Sequence, residues 1–500
     1  MRTLLSLDVG TTAVKVGLFR EDLTSLGIVI EEYTLSTPEP DYVEMEPEVY
    51  WQSACKGIRK VLADSGTDPG AVAAITCTTQ GETLIPVDAQ GRVLHPAIVW
   101  LDARAKEEAD FLSERFTAEQ FYQVTGLPEI SAYCPIAKLK WLKDRKPQVY
   151  GAIHKALFLE DYLIYRFTGQ FVTNPALTCS GGFFDIRKGV YWQEILRCCD
   201  LDEAKLPEVR PCGTVVGGVL PEVAQALGLS AEAVVSTGAM DQVAAAVGCG
   251  NVREDVVTDT VGTCQVIAAT AGPEMLEKWS PVTVYSHAVE GKYLLMMINQ
   301  TAGMILKWFR NEFAKDIMEQ YGAAAFDKLS ELAAAAPPLA NGLVLFPHLA
   351  GIQGAVNDPD ARGAFVGVGL DTDRGCFVRA IMEGVAYMSR ESIEVMKLEP
   401  ASLISLGGGA KSAVWNQIKA DVYNKPVLTL SFEEAALLGA AILGGVACGI
   451  FGSMEQACGL VGTKDTFRPG AANAKCYEGG YRRYLKMYDC LSPLFGRPQG

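Results

Sequence analysis

The sequence predicts an α/β protein built as two large domains, and three observations carry that expectation. The chain has 500 residues, beyond the roughly 250 to 300 at which a single hydrophobic core stops growing. Apolar residues at helical spacing alternate with short apolar runs, the pattern of helices layered on a sheet. A strand, Gly-Thr turn, strand arrangement also occurs twice, about half a chain apart.

The first hairpin reads Leu4 to Asp8, the turn Gly10-Thr11-Thr12, then Val14 to Phe19. The second reads Val256 to Val261, Gly262-Thr263, then Gln265 to Thr270, and in that correspondence Asp8 matches Thr260. Between them, Trp51, Ala54, Cys55, Ile58, Val61 and Leu62 share one helix face, and Ala71 to Cys77 is a short strand. The second half repeats the style, with Val378, Ile381, Met382, Val385 and Met388 on one helix, Ala401 to Leu406 as a strand, and Val414, Ile418 and Val422 on a further helix. The Gly-Cys-Gly-Asn interruption at Gly248 sets the expected division into residues 1–248 and 249–500, the second ending in a terminal helix and a short tail beyond Phe467.

Hydrophobic residues make up 49% of the chain and charged residues 21%, ordinary globular usage. A formal net charge of -15 with no dense run of Lys and Arg argues against nucleic acid or an anionic membrane as a partner. Any phosphate must then be held by backbone N–H groups, hydroxyls and a metal ion. The longest apolar stretch, Ala435 to Ile450, falls short of the roughly 20 residues that span a bilayer and reads as a buried helix. Fourteen Cys without a C-x-x-C pair and only four His argue against zinc. With Asp8 interrupting the first apolar stretch, so that it does not read as a secretory signal, they fit reduced thiols in the cytoplasm.

Several polar segments carry the candidate chemistry. Asp8-Val9-Gly10-Thr11-Thr12 places a carboxylate at a strand end and a hydroxyl-bearing turn directly after it, suited to wrapping phosphate oxygens while Asp8 holds Mg²⁺, usually through water; Lys15 adds a cation from the same hairpin. Gly262-Thr263 repeats the turn. In Leu406-Gly407-Gly408-Gly409-Ala410-Lys411-Ser412, glycines after a strand let the backbone lie flat against a ligand before a helix capped by Ser412. It lacks the G-x-x-x-x-G-K-[ST] spacing of a P-loop. Each of these also has a plain explanation as a tight turn.

Asp241 follows the apolar strand Ala233 to Val235 and the run Ser236-Thr237-Gly238-Ala239-Met240, and stands where an Ala- and Val-rich helix begins. Capping is its ordinary role there; the sharper one is general base, accepting the proton of an attacking hydroxyl. Groups for a polyhydroxylated acceptor cluster in Thr79-Gln80-Gly81-Glu82-Thr83, in Trp100-Leu101-Asp102-Ala103-Arg104, and at Tyr133. Their plain alternatives are a core position for Trp100 and a solvated pair for Asp102 with Arg104.

In this order the pieces resemble the FGGY carbohydrate kinase family, which includes xylulokinases, gluconokinases and glycerol kinases. Tyr133-Cys134-Pro135-Ile136-Ala137-Lys138-Leu139-Lys140-Trp141-Leu142 is similar to its first signature, and Gly363 to Val368 followed by Arg379-Ala380-Ile381-Met382-Glu383-Gly384 to its second. Arg145 and Cys376 depart from the residues usual at their positions. The resemblance implies two ribonuclease-H-like domains of actin-like ATPase type with a catalytic cleft between them, ATP and Mg²⁺ as cofactors, Asp241 as catalytic base and Asp8 as the metal-associated acid. It further implies Gly10, Thr11, Thr12, Gly262, Thr263, Gly303, Gly408 and Gly409 for the nucleotide and Glu82, Trp100, Tyr133 and Gln242 for the substrate; Lys15 joins the first set, and Gln80 and Asp102 the second, from the reading of the polar segments.

Gly81 stands where glycerol kinases carry Arg, which argues against glycerol. The Met-His of xylulokinases and the Asn after their base are absent as well, and Ile352, Gln353 and Ala355 replace a usual Glu-Arg-Thr-Pro pattern. The expected substrate is a small ketose such as a pentulose, with a glycerol- or erythritol-like polyol as the alternative and a homodimer admitted as the assembly. A nucleotide-gated chaperone or regulator on the same fold is the reading of a different class.

Overall fold

The computed structural model describes residues 2–352 and 358–495; Gln353 and Ala355 lie outside them. Two compact units emerge: residues 1–252, 270–294 and 434–461 form one, and 253–269, 295–433 and 462–500 the other. The expected division at residues 248 and 249 lies close to the first crossing, but neither unit is one continuous stretch.

The first unit is built on a sheet in the order Val215–Gly218, Val234–Met240, Val72–Thr79, Thr3–Val9, Ala13–Arg20, Ser25–Glu32. Its three central strands are parallel, flanked by the antiparallel hairpin on one side and an antiparallel edge on the other. Thr3–Val9 alternates between no faces at all, being buried almost throughout, as a central parallel strand must be. The Pro47–Ser65 helix starts at a proline and stops at Gly66, whose φ of 62° is the left-handed conformation a helix end favours. It turns Tyr50, Trp51, Ala54, Ile58, Val61 and Leu62 onto the sheet. Each large side chain buried there is worth about 1.5–3 kcal/mol.

The Ala435–Ala447 helix is buried on nearly every side, as its composition predicts, and it packs in the first unit against Thr3–Val9, Val72–Thr79 and the Asp241–Gly248 helix. Glycines permit the approach: a Cβ on Gly248 would stand 1.9 Å from the Ala435 carbonyl oxygen, and one on Gly439 1.8 Å from that of Ala244. A small antiparallel sheet, Glu44–Met45, Ala97–Ile98, Leu84–Val87 and Lys155–Phe158, is added to this unit.

The second unit repeats the plan. Its strands run Tyr293–Asn299, Gln265–Ala271, Val256–Val261, Ser402–Gly407, Val427–Leu430, Thr463–Phe467, again a hairpin beside parallel strands and an antiparallel edge. The duplication read from the two hairpins is borne out at this level. The Arg374–Val395 and Ala413–Tyr423 helices cover the sheet, and the terminal helix spans Ala471–Leu491. Among the described residues no helix is long and apolar enough to cross a membrane.

Candidate active site

In the first unit the site residues gather where three neighbouring parallel strands end, the usual place for a ligand on an open α/β sheet. Val9 and Met240 both pair with Thr79, so Gly10, Gln80 and Asp241 each follow a strand end side by side. The strand before Asp241 runs on to Met240 rather than stopping at Val235. A register shift between Ser236 and Ala239 lets it do so, and Gly238 within that shift is held by its N–H donating to the buried Glu160 at 2.7 Å.

Asp241 opens the Asp241–Gly248 helix, and its Oδ1 accepts from the N–H of Gln242 at 2.6 Å. It is therefore a first-turn acid and not the cap, which is Met240. Burial pushes its carboxyl up to about 7, the charges of Asp8 and Glu82 adding to the rise. A carboxyl that titrates near neutrality is suited to take and release a proton at working pH.

Asp8 pairs with Lys15 across the hairpin and with Thr78 on its other side. Burial raises its carboxyl to about 6; Lys15 opposes the rise and Glu434 adds to it. Lys15, expected as a phosphate contact, is ion-paired with Glu434 at 2.5 Å, so the cation is shared with a carboxylate from the far end of the sequence. Tyr33 clamps the turn: its hydroxyl donates to the Gly10 carbonyl at 2.5 Å and its N–H to that of Thr12 at 2.9 Å. The Thr11 hydroxyl accepts from the Trp100 indole at 3.0 Å, which leaves its own proton for a ligand.

Trp100 is 37% exposed, so it is no core residue. Its N–H donates to Thr83 Oγ1 at 3.2 Å, joining the segment around residue 100 to that around residue 82. Gln80 is buried, with its Nε2 near the Tyr50 hydroxyl at 3.4 Å and its Oε1 without a partner among the described residues. Such an atom costs free energy unless a ligand donates to it. Burial lifts the Glu82 carboxyl to about 7, Lys138 and then Ser180 opposing. Tyr133, 51% exposed, precedes the helix that carries Lys138, and Gln242 lies half-buried beside Asp241.

Asp102 is corrected by the structure. It is fully buried, and both its oxygens are satisfied within the chain, Oδ1 by the N–H and Nε of Arg104 and Oδ2 by the Val43 N–H at 2.6 Å and Arg104 Nη2 at 2.6 Å. Arg104 lies over the Tyr42 and Trp141 rings at 3.9 and 4.9 Å. The pair is neither solvated nor free for a sugar; it braces the segment that presents Trp100.

Tyr33, Lys138, Ser180, Met240, Tyr285 and Glu434 were not among the sequence candidates. Burial and the charges of Glu82, Cys179 and Asp241 hold the Tyr285 phenol above its ordinary value, which places it by the acidic groups. Met240 Sδ and Ser180 Oγ would lie 2.9 and 3.2 Å from a Cβ on Gly81, so the space beside this glycine is already filled.

The second unit assembles its own set around the end of Val256–Val261. Gly262 N donates to the Cys264 carbonyl at 2.9 Å, the Gly262 carbonyl accepts from Gly303 N at 3.0 Å, and that of Thr263 accepts from Ala302 and Met304 at 3.1 and 3.2 Å. Val261 pairs with Gly407, and a Cβ on Gly409 would stand 2.8 Å from that of Val261, so the turn Gly408–Lys411 lies against the same strand end. Ser412 caps the next helix as expected, accepting from Trp415 N at 3.4 Å. Gly262, Thr263, Gly303, Gly408 and Gly409 are thus brought together. A Cβ on Gly303 would stand 2.3 Å from the Gly262 carbonyl oxygen. Gly303→Ala is expected to cost about 1–3 kcal/mol of stability, read from urea unfolding.

The chain matches the model of the FGGY family of carbohydrate kinases, N-terminal domain, over residues 3–248, and that of the C-terminal domain over 259–448. A xylulose kinase of Lactococcus lactis is 28% identical over 99% of this chain and 98% of its own length. A glycerol kinase of Thermococcus gammatolerans is 31% identical over 96% of each. The crystal structure of xylulose kinase from Rhodospirillum rubrum superposes with a TM-score of 0.89 at 29% identity, covering 99% of this chain and 100% of that one. The fold is the actin-like ATPase fold, and kinases of this kind use ATP. Both domain models are matched in order and between them take in most of the sequence: the chain belongs to the FGGY family of carbohydrate kinases and is a sugar kinase.

Proposed function

We propose that the protein transfers the γ-phosphoryl group of ATP to a hydroxyl of a small neutral ketose, a pentulose, with Asp241 as general base. The observation that carries this reading is the Asp241 carboxyl, raised to about 7 at the head of a helix, in the company of Asp8 and Glu82. Glu82 and Gln80 Oε1 accept from sugar hydroxyls, and Trp100 offers an apolar face to the carbon skeleton. Gly10, Thr11 and Thr12 in the first unit supply N–H and O–H donors suited to phosphates, and Gly262, Thr263, Gly303, Gly408 and Gly409 are the second unit's own set for a nucleotide. The relatives named xylulose kinase, at 28% and 29% identity, support the pentulose. The packing of Met240 and Ser180 beside Gly81 argues against a further side chain for glycerol at that position.

Mg²⁺ suits Asp8. Its carboxyl sits above its ordinary value and lacks full compensation from Lys15, which Glu434 shares. A cation that binds through one or two carboxylates plus phosphate oxygens meets that need. When bound, it neutralises charge on the transferring phosphates. All fourteen cysteines are free thiols, which supports a reducing, cytoplasmic setting.

An ADP-release assay across pentuloses, hexuloses, aldonates and small polyols tests the proposal. Turnover highest with a pentulose is the expected result, and turnover highest with a polyol, or with no sugar at all, overturns it. The base must be charged to accept a proton, so kcat with the best sugar should fall as pH drops through about 7. A rate flat from pH 5 to 8 would contradict the assignment.

A further inference from the structure

We propose that Lys138 is a positioning residue for the sugar, its ammonium tying the turn that carries Glu82 to the segment that carries Trp100. The inference rests on the sugar site proposed above. Lys138 sits on the Pro135–Arg145 helix and is 0% exposed, a setting lysine almost never takes unless its charge is used. Its Nζ donates to the carbonyls of Val99 at 2.9 Å, Trp100 at 3.4 Å and Glu82 at 3.4 Å. Three N–H donors meet three acceptors, drawn from two segments of the chain.

Leu84 pairs with Ile98, and Trp100 N reaches Thr83 Oγ1; the ammonium adds a tie beyond the edge of the small sheet. The turn at Glu82 is also strained. Thr83 N donates to the Gly81 carbonyl at 2.7 Å across a single residue, and Glu82 takes a φ of 55°, a left-handed conformation uncommon for a residue with a side chain. Strain of this kind persists only where surroundings enforce it, and it clusters at ligand sites. The ammonium beneath the Glu82 carbonyl is a contact that enforces it.

The charges point the same way. Facing Lys138 are Asp102, Glu82, Cys134 and Arg104; burial brings its ammonium down to about 8, with Asp102 and then Glu82 opposing. In turn Lys138 is the chief group holding the Glu82 carboxyl down against burial. Without the ammonium, the Glu82 carboxyl rises further, so that at neutral pH it holds a proton and changes from acceptor to donor toward a sugar hydroxyl.

The test is Lys138→Met, which keeps most of the apolar stem of the side chain and removes its charge. The KM for the best sugar should rise on the order of tenfold, the worth of a hydrogen bond to a charged group, with the KM for ATP within about twofold of wild type. The acid limb of kcat/KM for sugar should move to higher pH. An unchanged sugar KM, or sugar and ATP constants rising together, overturns the inference. Lys138→Arg is the second variant and carries the test if the first does not fold: it keeps the charge in a planar fork that cannot meet the same three carbonyls. Its sugar KM should rise while the acid limb stays in place; a wild-type KM overturns the inference. A wild-type enzyme with no sugar turnover refutes the proposed function itself, whereas an active enzyme indifferent at Lys138 refutes this inference alone.

Discussion

Asp241→Asn lowers kcat by about a hundredfold or more, the usual worth of a general base, while the sugar still binds. The amide is nearly the same size, and its Oδ1 keeps the hydrogen bond from Gln242 N. It cannot accept a proton from the attacking hydroxyl. It also removes one of three neighbouring carboxylates, since Asp8 and Glu82 both bear on the Asp241 carboxyl. The fold should therefore be no weaker, and the KM for sugar no higher. Initial rates at saturating ATP, with calorimetric titration of the sugar, check both halves; a kcat within threefold of wild type would remove Asp241 from the chemistry. Any residual kcat at saturating sugar should lose the part of the acid limb that Asp241 supplies, while the limb that Glu82 gives to kcat/KM for sugar remains.

Lys419→Met should cost about 3–5 kcal/mol, the penalty for leaving a buried charge without its partner. Lys419 Nζ and Asp259 Oδ2 are 2.9 Å apart and essentially inaccessible to solvent. Around them, Gln265 and Tyr423 donate to Asp259 at 2.7 and 2.8 Å, and Lys419 donates to Ser405 at 3.0 Å. Asn299 extends the network by donating to Gln265 and Ser392, each at 3.1 Å. These side chains tie the helix that follows the Gly408 turn to the strands that precede it. Loss of the ammonium should lower the denaturant midpoint of the second unit and raise the KM for ATP, leaving the sugar KM unchanged. Adding Asp259→Val should restore part of the stability, because a buried pair replaced by apolar groups is often close to neutral. A midpoint unchanged in the single variant would show that the ion pair carries no net stability.

What the sequence makes legible follows from locality. The two hairpins, the Gly-Thr turns and the Ser412 cap are each specified by residues a few positions apart, and the structure has them where the pattern puts them. Ser236-Thr237-Gly238 falls outside the strand read at Ala233 to Val235 because its residues are polar and flexible, yet it is strand. Its polar groups are satisfied at long range: Ser236 by Thr76, Thr237 by Pro211 and Thr214, and Gly238 by Glu160. Asp102 misleads for the same reason, since its partner Val43 is 59 residues away. Glu434, which shares Lys15, is 419 residues from it, and no spacing rule reaches that far. Lys138 was visible as part of a signature, but three backbone carbonyls have no signature of their own.

The Ala435–Ala447 helix, packed against the Thr3–Val9 and Val72–Thr79 strands, bears on how the protein is made. On the ribosome, the amino-terminal half is synthesised long before the segment that closes its core. Until that segment arrives, the apolar flank beneath it, Leu4 and Ala74 included, stays bare. Translation proceeds at about 5–20 residues per second, so the nascent chain carries a sticky face for many seconds and depends on chaperones or on low local concentration to escape clumping. An expression clone cut near the midpoint would inherit that face permanently.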